Sequence, residues 1–231
     1  IRDFCLSRGL GDVYKRQHWL NAKDYQKDPA KVKELSQYQG ILVPGGFGET
    51  GIEGKINVIR YVRENKIPYF GLCYGMQLLT VEYARHVAKL TGAHTTEIDP
   101  KTKHPIIMIL PEQIEKMQKK DYGGSMRLGA YPCKLKNGSV AQKAYGAGEI
   151  SERHRHRFEV NPEYVEQLSQ AGLVFSGTSP DGKLMEIAEL PKEEHPFFLG
   201  TQFHPELKAR PLTPHPLFTE FVRAALKRKV K

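Results

Sequence analysis

The stretch IPYFGLCYGMQLLTVEYARHVAKL, residues 67–90, decides the fold. Residues 67–72 are apolar or aromatic with almost no polar interruption, the composition of a strand buried on both faces. Leu78, Leu79, Val81, Ala84 and Val87 then recur at helical spacing and predict a helix over 75–90. The same succession stands just upstream in ILVPGGFGETGIEGKI, residues 41–56. There the apolar run 41–43 ends at Pro-Gly-Gly, and Ile52, Ile56, Ile59 and Val62 continue at helical spacing until Asn65. Strand, helix, strand and helix in that order imply βαβ units. The expected fold is therefore α/β, a mostly parallel sheet with helices on both faces.

Further strands are predicted over 106–110, 131–135, 153–160, 173–176, 184–190 and 197–203, and a last helix over 216–227. The strand over 184–190 follows the turn signal Pro180-Asp181-Gly182. Residues 1–39 are polar and aperiodic apart from a short helix near 29–35. No repeat, low-complexity tract or linker divides the chain, which reads as one α/β domain.

At 231 residues and 39% hydrophobic content the chain can bury a substantial core. It has no apolar run of the roughly 18 residues that a membrane-spanning helix needs, so no membrane partner is expected. Three widely spaced cysteines, Cys5, Cys73 and Cys133, argue against a disulfide framework or structural zinc site and for the cytoplasm. The net charge of +9 is spread along the chain, with one short cluster at Lys227-Arg228-Lys229, and reads as a solvated basic surface without a nucleic-acid partner. The N-terminal IRDFCLSRGL has neither an initiator Met nor a signal segment, which suggests a piece of something longer.

The chemistry begins at Gly71-Leu72-Cys73-Tyr74-Gly75. This is G-x-C-x-G, the thiol counterpart of the nucleophile elbow, set between a strand and a helix. Glycines two residues to either side relieve the crowding of so sharp a turn. The helix N-terminus under the sulfur is expected to favour thiolate over thiol. A lone cysteine is more often a small buried core residue, and the pentapeptide alone leaves both readings open. A partner for the thiol lies in Gln202-Phe203-His204-Pro205-Glu206, where His204 ends an apolar strand and Glu206 can hold its second ring nitrogen. Acyl transfer from a thiolate passes through an oxyanion that needs two N–H donors. The backbone amide of Tyr74 supplies one, and the loop Pro44-Gly45-Gly46-Phe47-Gly48 is placed to supply the other. From Gly46 that loop also reads G-x-G-x-x-G. A dinucleotide site, however, needs an acidic residue about 20 positions on, at the end of the next strand. That strand ends at Leu72-Cys73, so the loop is expected to hold an oxyanion. His154 and His156 alternate onto one face of a strand with no carboxylate or cysteine expected beside them, a poor metal set, and no metal is expected.

With elbow, loop and His-Pro-Glu in place, the sequence resembles the class I (triad-type) glutamine amidotransferase domains, which have a flavodoxin-like core. Among them it is most similar to the C-terminal glutaminase domains of CTP synthases. The segments that carry the resemblance are PGGFG…GIEGKI at 44–56, GLCYGMQ at 71–77, TTEID at 95–99, GGSMRLG at 123–129, ERHRHRFEVNPE at 152–163 and QFHPE with Arg210-Pro211 at 202–211. It runs from about residue 40 to 225. The resemblance implies hydrolysis of L-glutamine to glutamate and ammonia through a thioester on Cys73. His204 would be base and acid, Glu206 would orient it, and Gly46 and Tyr74 would form the oxyanion hole. Glu97 would bind the glutamine α-ammonium and Arg157 its α-carboxylate, with Phe47 and Gln77 as further glutamine contacts. No cofactor is implied for this domain. The ammonia would pass to a synthetase domain of the same polypeptide, absent here, that aminates UTP to CTP with ATP and Mg²⁺, and the full-length protein would be a homo-oligomer.

Two positions depart from the family pattern: Thr50 is commonly Arg there and Tyr74 commonly Leu. Residues 1–17 match nothing in the family and read as foreign sequence, leaving 18–231 as an N-terminally truncated amidotransferase domain. Its first, central strand is then expected to be missing, with Ile41–Val43 left at an unpaired edge. The competing readings are a stand-alone amidohydrolase of γ-glutamyl amides and an inactive fragment or basic binding module.

Overall fold

The computed structural model describes residues 16–109 and 126–229. Leu110, residues 123–125 of GGSMRLG and most of the segment 1–17 lie outside the described residues. The described strands are β1 Ile41–Val43, β2 Tyr69–Leu72, β3 His94–Thr95, β4 Pro105–Ile109, β5 Arg127–Leu135, β6 Glu149–His156, β7 Phe158–Val160, β8 Val174–Thr178, β9 Met185–Glu189 and β10 Phe198–Thr201. The helices are α1 Ala22–Lys27, α2 Ile52–Glu64, α3 Tyr74–His86, α4 Val140–Tyr145, α5 Pro162–Gln170 and α6 Pro216–Lys227. Turns of 3-10 helix occupy Pro29–Gln37 and Pro205–Leu207. One sheet runs β1-β2-β10-β9-β8-β5-β6, and a smaller one runs β3-β4-β7.

The α/β layering is as expected, but the large sheet is mixed rather than mostly parallel. Parallel pairing is confined to β1 with β2 and β2 with β10, and every later neighbour is antiparallel. The reason lies in the connections. A parallel step needs a long crossover, whereas an antiparallel step needs only a turn. Between β8 and β9 the chain reverses through Ser179–Gly182, closed by the Gly182 N–H on the Ser179 carbonyl at 2.8 Å. The strand predicted over 153–160 is two strands in different sheets: β6 pairs with β5, and after Arg157 β7 pairs with β4.

Side-chain alternation sends the strands' apolar residues into two cores on opposite faces. Tyr69 of β2 and Phe198 of β10 join Ile52, Ile56, Ile59 and Val62 of α2 and the buried residues of α3 on one face. Phe70, Leu72 and Leu199 join Leu217, Phe218 and Phe221 of α6 on the other. Nearly all of α3 is buried, because it packs on the large sheet and also on strands of the small one. Among the described residues β1 is one of the two edge strands of its sheet, and Leu42 at its centre is 39% exposed. Also among the described residues, no helix is long and apolar enough to cross a membrane.

Candidate active site

The parallel corner of the sheet gathers three chain segments at one end. Val43 pairs with Gly71, Gly71 with Gly200 and Leu72 with Thr201, so β1, β2 and β10 finish side by side. The next residues are Gly45 and Gly46 after β1, Cys73 after β2, and Gln202 to His204 after β10. This is the carboxyl end of the parallel strands, where open α/β sheets place their ligands.

Cys73 stands at φ 49 and ψ −96, a conformation that side-chain-bearing residues rarely adopt. Its N–H donates to the Thr201 carbonyl at 2.6 Å, which fixes the turn to β10. The flanking glycines are obligatory. A Cβ on Gly71 would lie 2.6 Å from the Gly75 carbonyl carbon, and one on Gly75 would lie 2.5 Å from the Val43 carbonyl oxygen.

His204 is held by its backbone and by its ring. Its N–H donates to the Arg153 carbonyl at 2.8 Å, and Nδ1 lies 2.6 Å from Glu206 Oε1. The other ring nitrogen, Nε2, is buried without a hydrogen-bond partner among the described residues. A Cβ built on Gly45 would lie 2.8 Å from His204 Cε1 and 3.8 Å from Cys73 Cβ. The imidazole carbon and the cysteine Cβ are therefore no farther apart than the sum of those two distances. Only a residue without a side chain fits between them.

The expected pull of the helix end toward the thiolate is present but outweighed. The residue is 5% exposed. Burial pushes its thiol up to about 12, the Tyr74 backbone amide opposes that, and the charges of Glu159, Glu206 and Glu97 add to it. Desolvation of a sulfur anion beside three carboxylates outweighs a helix dipole worth at most about 2 kcal/mol. The resting group is the thiol, and its ionisation depends on a proton acceptor such as the vacant His204 Nε2.

The glycine loop is braced at Gly48. Its N–H donates to Glu97 Oε1 at 2.9 Å and its carbonyl accepts from the Tyr74 hydroxyl at 2.6 Å. Gly46 lies against the Tyr74 ring, where a Cβ would come 3.6 Å from Cδ1. Lys55 Nζ lies 5.2 Å from the centre of the same ring. Of the residues expected to contact glutamine, Glu97 is thus brought to the loop, and Arg157 sits half-buried one residue before Phe158. Phe47 is 86% exposed on the loop and is not packed into the site. Gln77 is buried, and its amide nitrogen donates to the Phe158 carbonyl at 3.0 Å and to Gln202 Oε1 at 3.3 Å.

Sequence reasoning missed Gln202, whose amide nitrogen lies 3.6 Å from Cys73 Sγ. Its one available signal was its position two residues before His204 at the end of the same strand. Also missed was the buried charge behind the site. His154 Nε2 lies 2.6 Å from Glu186, His156 Nε2 lies 2.8 Å from Glu159, and Arg127 reaches both carboxylates. The two histidines therefore do have carboxylates beside them, contrary to expectation. No group of three or more His, Cys, Asp or Glu suited to a metal occurs among the described residues.

The sequence profile described as Glutamine amidotransferase class-I matches residues 10–224. A CTP synthase of Halalkalibacterium halodurans is 55% identical, over 91% of this chain and 38% of that protein. A CTP synthase of Clostridium kluyveri is 54% identical, over 98% of this chain and 42% of that protein. The chain thus spans about two fifths of the length of these curated relatives. The solved glutaminase domain of Trypanosoma brucei CTPS, with bound acivicin, is 33% identical and superposes with a TM-score of 0.86, covering 94% of this chain and 83% of that one.

Proposed function

The chain belongs to the class-I glutamine amidotransferases, within the group formed by the glutaminase domains of CTP synthases, and from that premise we propose that this site hydrolyses the side-chain amide of L-glutamine. The observation that carries the proposal is the convergence on Gly45 of a cysteine on a strained elbow and an imidazole whose Nδ1 is held by a carboxylate and whose Nε2 has no partner among the described residues.

The chemistry follows from that arrangement. The Cys73 thiol gives its proton to His204 Nε2 as the sulfur attacks the amide carbon, and Glu206 stabilises the resulting imidazolium through Nδ1–H. The backbone N–H groups of Gly46 and Tyr74 receive the developing oxyanion. His204 returns the proton to the leaving nitrogen, and ammonia departs from a thioester. Water then attacks with His204 as base and frees glutamate. Glu97 and Arg157 suit a zwitterion, since one fixed anion and one fixed cation read its two charged ends.

The ammonia is delivered to the synthetase region of the whole protein, which lies outside this chain and aminates UTP to CTP. ATP and Mg²⁺ serve that region, and no residue here is assigned to them. The test is glutamine-dependent ammonia release by the whole protein carrying Cys73→Ala. Release falls to background while activity on added ammonium salts persists, and undiminished release would end the reading.

A further inference from the structure

We propose that Gln202 is a further catalytic residue: its side-chain amide donates a hydrogen bond to the Cys73 sulfur and holds it in attacking position, with Gln77 locking the amide's orientation. The inference rests on the glutaminase reading for its kinetic consequences only.

The geometry fixes which end of the amide meets the sulfur. Gln202 is fully buried, and its backbone N–H donates to the Glu186 carbonyl at 2.8 Å, so the residue cannot swing away. Its Oε1 accepts from Gln77 Nε2 at 3.3 Å. The Gln77 nitrogen is itself oriented by the Phe158 carbonyl at 3.0 Å, so it faces Gln202 as a donor. With Oε1 engaged there, Nε2 must point the other way, and Cys73 Sγ lies 3.6 Å from it. Gln77 thus donates both to the Phe158 carbonyl and to Gln202 Oε1, and Gln202 in turn donates to Cys73.

Gln202 brings this sulfur a neutral side-chain donor in addition to the Tyr74 backbone amide. The ionised groups that act on it are Glu159, Glu206 and Glu97, all negative, and burial adds to their effect. The Tyr74 backbone amide opposes them, and it is also needed for the oxyanion. A hydrogen bond to an anion is roughly twice as strong as one to a neutral acceptor, so the Gln202 N–H favours the thiolate that attacks over the thiol that waits. Gln77, which touches no reacting atom in this arrangement, acts through Gln202 as a positioning residue.

The test uses the whole protein and reads the rate of iodoacetamide alkylation of Cys73 at one fixed pH near neutrality, quantified on its own peptide so that Cys5 and Cys133 do not contribute. Gln202→Leu slows alkylation about tenfold, the effect of one hydrogen bond to a charged group. It also lowers kcat for glutamine about tenfold with KM within about twofold. Gln77→Leu changes both in the same direction by less. Gln202→Glu keeps the shape, places a fourth carboxylate at the sulfur and slows alkylation further, and it replaces the Leu variant as the readout if that variant does not fold. An unchanged alkylation rate and kcat in the folded variants would overturn the inference, as would a rise in KM alone. Slowed alkylation in a protein that never released ammonia from glutamine would leave Gln202's role standing and sink the glutaminase reading instead.

Discussion

Tyr74→Phe removes one oxygen atom and tests whether the loop proposed to hold the oxyanion is braced from the helix side. The phenol ring packs against Gly46, and Lys55 lies over it; both contacts survive the change. What disappears is the 2.6 Å bond from the hydroxyl to the Gly48 carbonyl. A neutral hydrogen bond of this kind is worth about 0.5–1.5 kcal/mol net. Gly48 is only half-buried, so water can take over the freed carbonyl and the larger penalty of an orphaned buried group does not apply. The remaining tie, from the Gly48 N–H to Glu97, keeps the loop near its place. If the lost energy is felt wholly in the position of the Gly46 amide, the turnover number falls between about two-fold and about twelve-fold. That is well short of the 10²–10³ that loss of a whole oxyanion donor causes. Steady-state ammonia release from glutamine by the whole protein measures it, with kcat and KM separated. A turnover number equal to that of the parent, or a change in KM only, would show that the loop's geometry does not depend on the phenol.

Two further outcomes follow from packing and titration. Gly54→Ala adds a methyl that would lie 1.9 Å from the Ala22 carbonyl oxygen, so α1 must move off α2. The cost is about 1–3 kcal/mol, more than the helix propensity that alanine adds, and is seen as a lower melting temperature and faster tryptic cleavage within residues 16–37. His195 is buried between the Val62 carbonyl at Nε2 and the Phe197 N–H at Nδ1, a pairing that only the neutral ring satisfies, and burial lowers its pKa to about 4. The unfolded chain takes up that proton near pH 6.5 and the folded one does not until about 4, so stability is lost as pH falls through this window, by about 1.4 kcal/mol per unit. His195→Gln, which keeps a donor and an acceptor, flattens that acid limb by one proton in melting curves taken between pH 7 and 4.5. A limb as steep as the parent's would refute the assignment.

The parts of the molecule that could be read from the chain are those with one dominant local cause. The apolar run at 41–43 and the helix at Pro216–Lys227 fall where predicted, because three consecutive aliphatics before Pro-Gly-Gly and a strongly one-sided helix admit few alternatives. Strand direction was not readable. Residues of β9 and β10 are buried on both faces, so their apolar runs look the same whichever way the neighbour points. The helices α1, α4 and α5 were missed, although α5 begins with Asn161 capping the Glu163 N–H and Pro162 at its first position, a start signal that was present in the sequence. The elbow's geometry followed from its glycines, but the protonation state of its sulfur did not. That depends first on the burial of the sulfur and then on charges such as Glu159, which is distant in sequence and brought near only by the folding of β7. Gln202 escaped notice for a related reason: a buried glutamine has no pattern of its own, and its meaning comes from the sulfur it faces.

The loop proposed to hold the oxyanion grows from β1, a three-residue strand bonded to the sheet along one flank only among the described residues. Peripheral strands open at lower free energy than central ones. The proposed nucleophile and base, carried by the interior strands β2 and β10, will outlast the loop amide proposed to work with them. As denaturant rises, hydrolysis should fail before the bulk of the secondary structure does, and any chain that zipped onto the bare flank of β1 would bring the two transitions together.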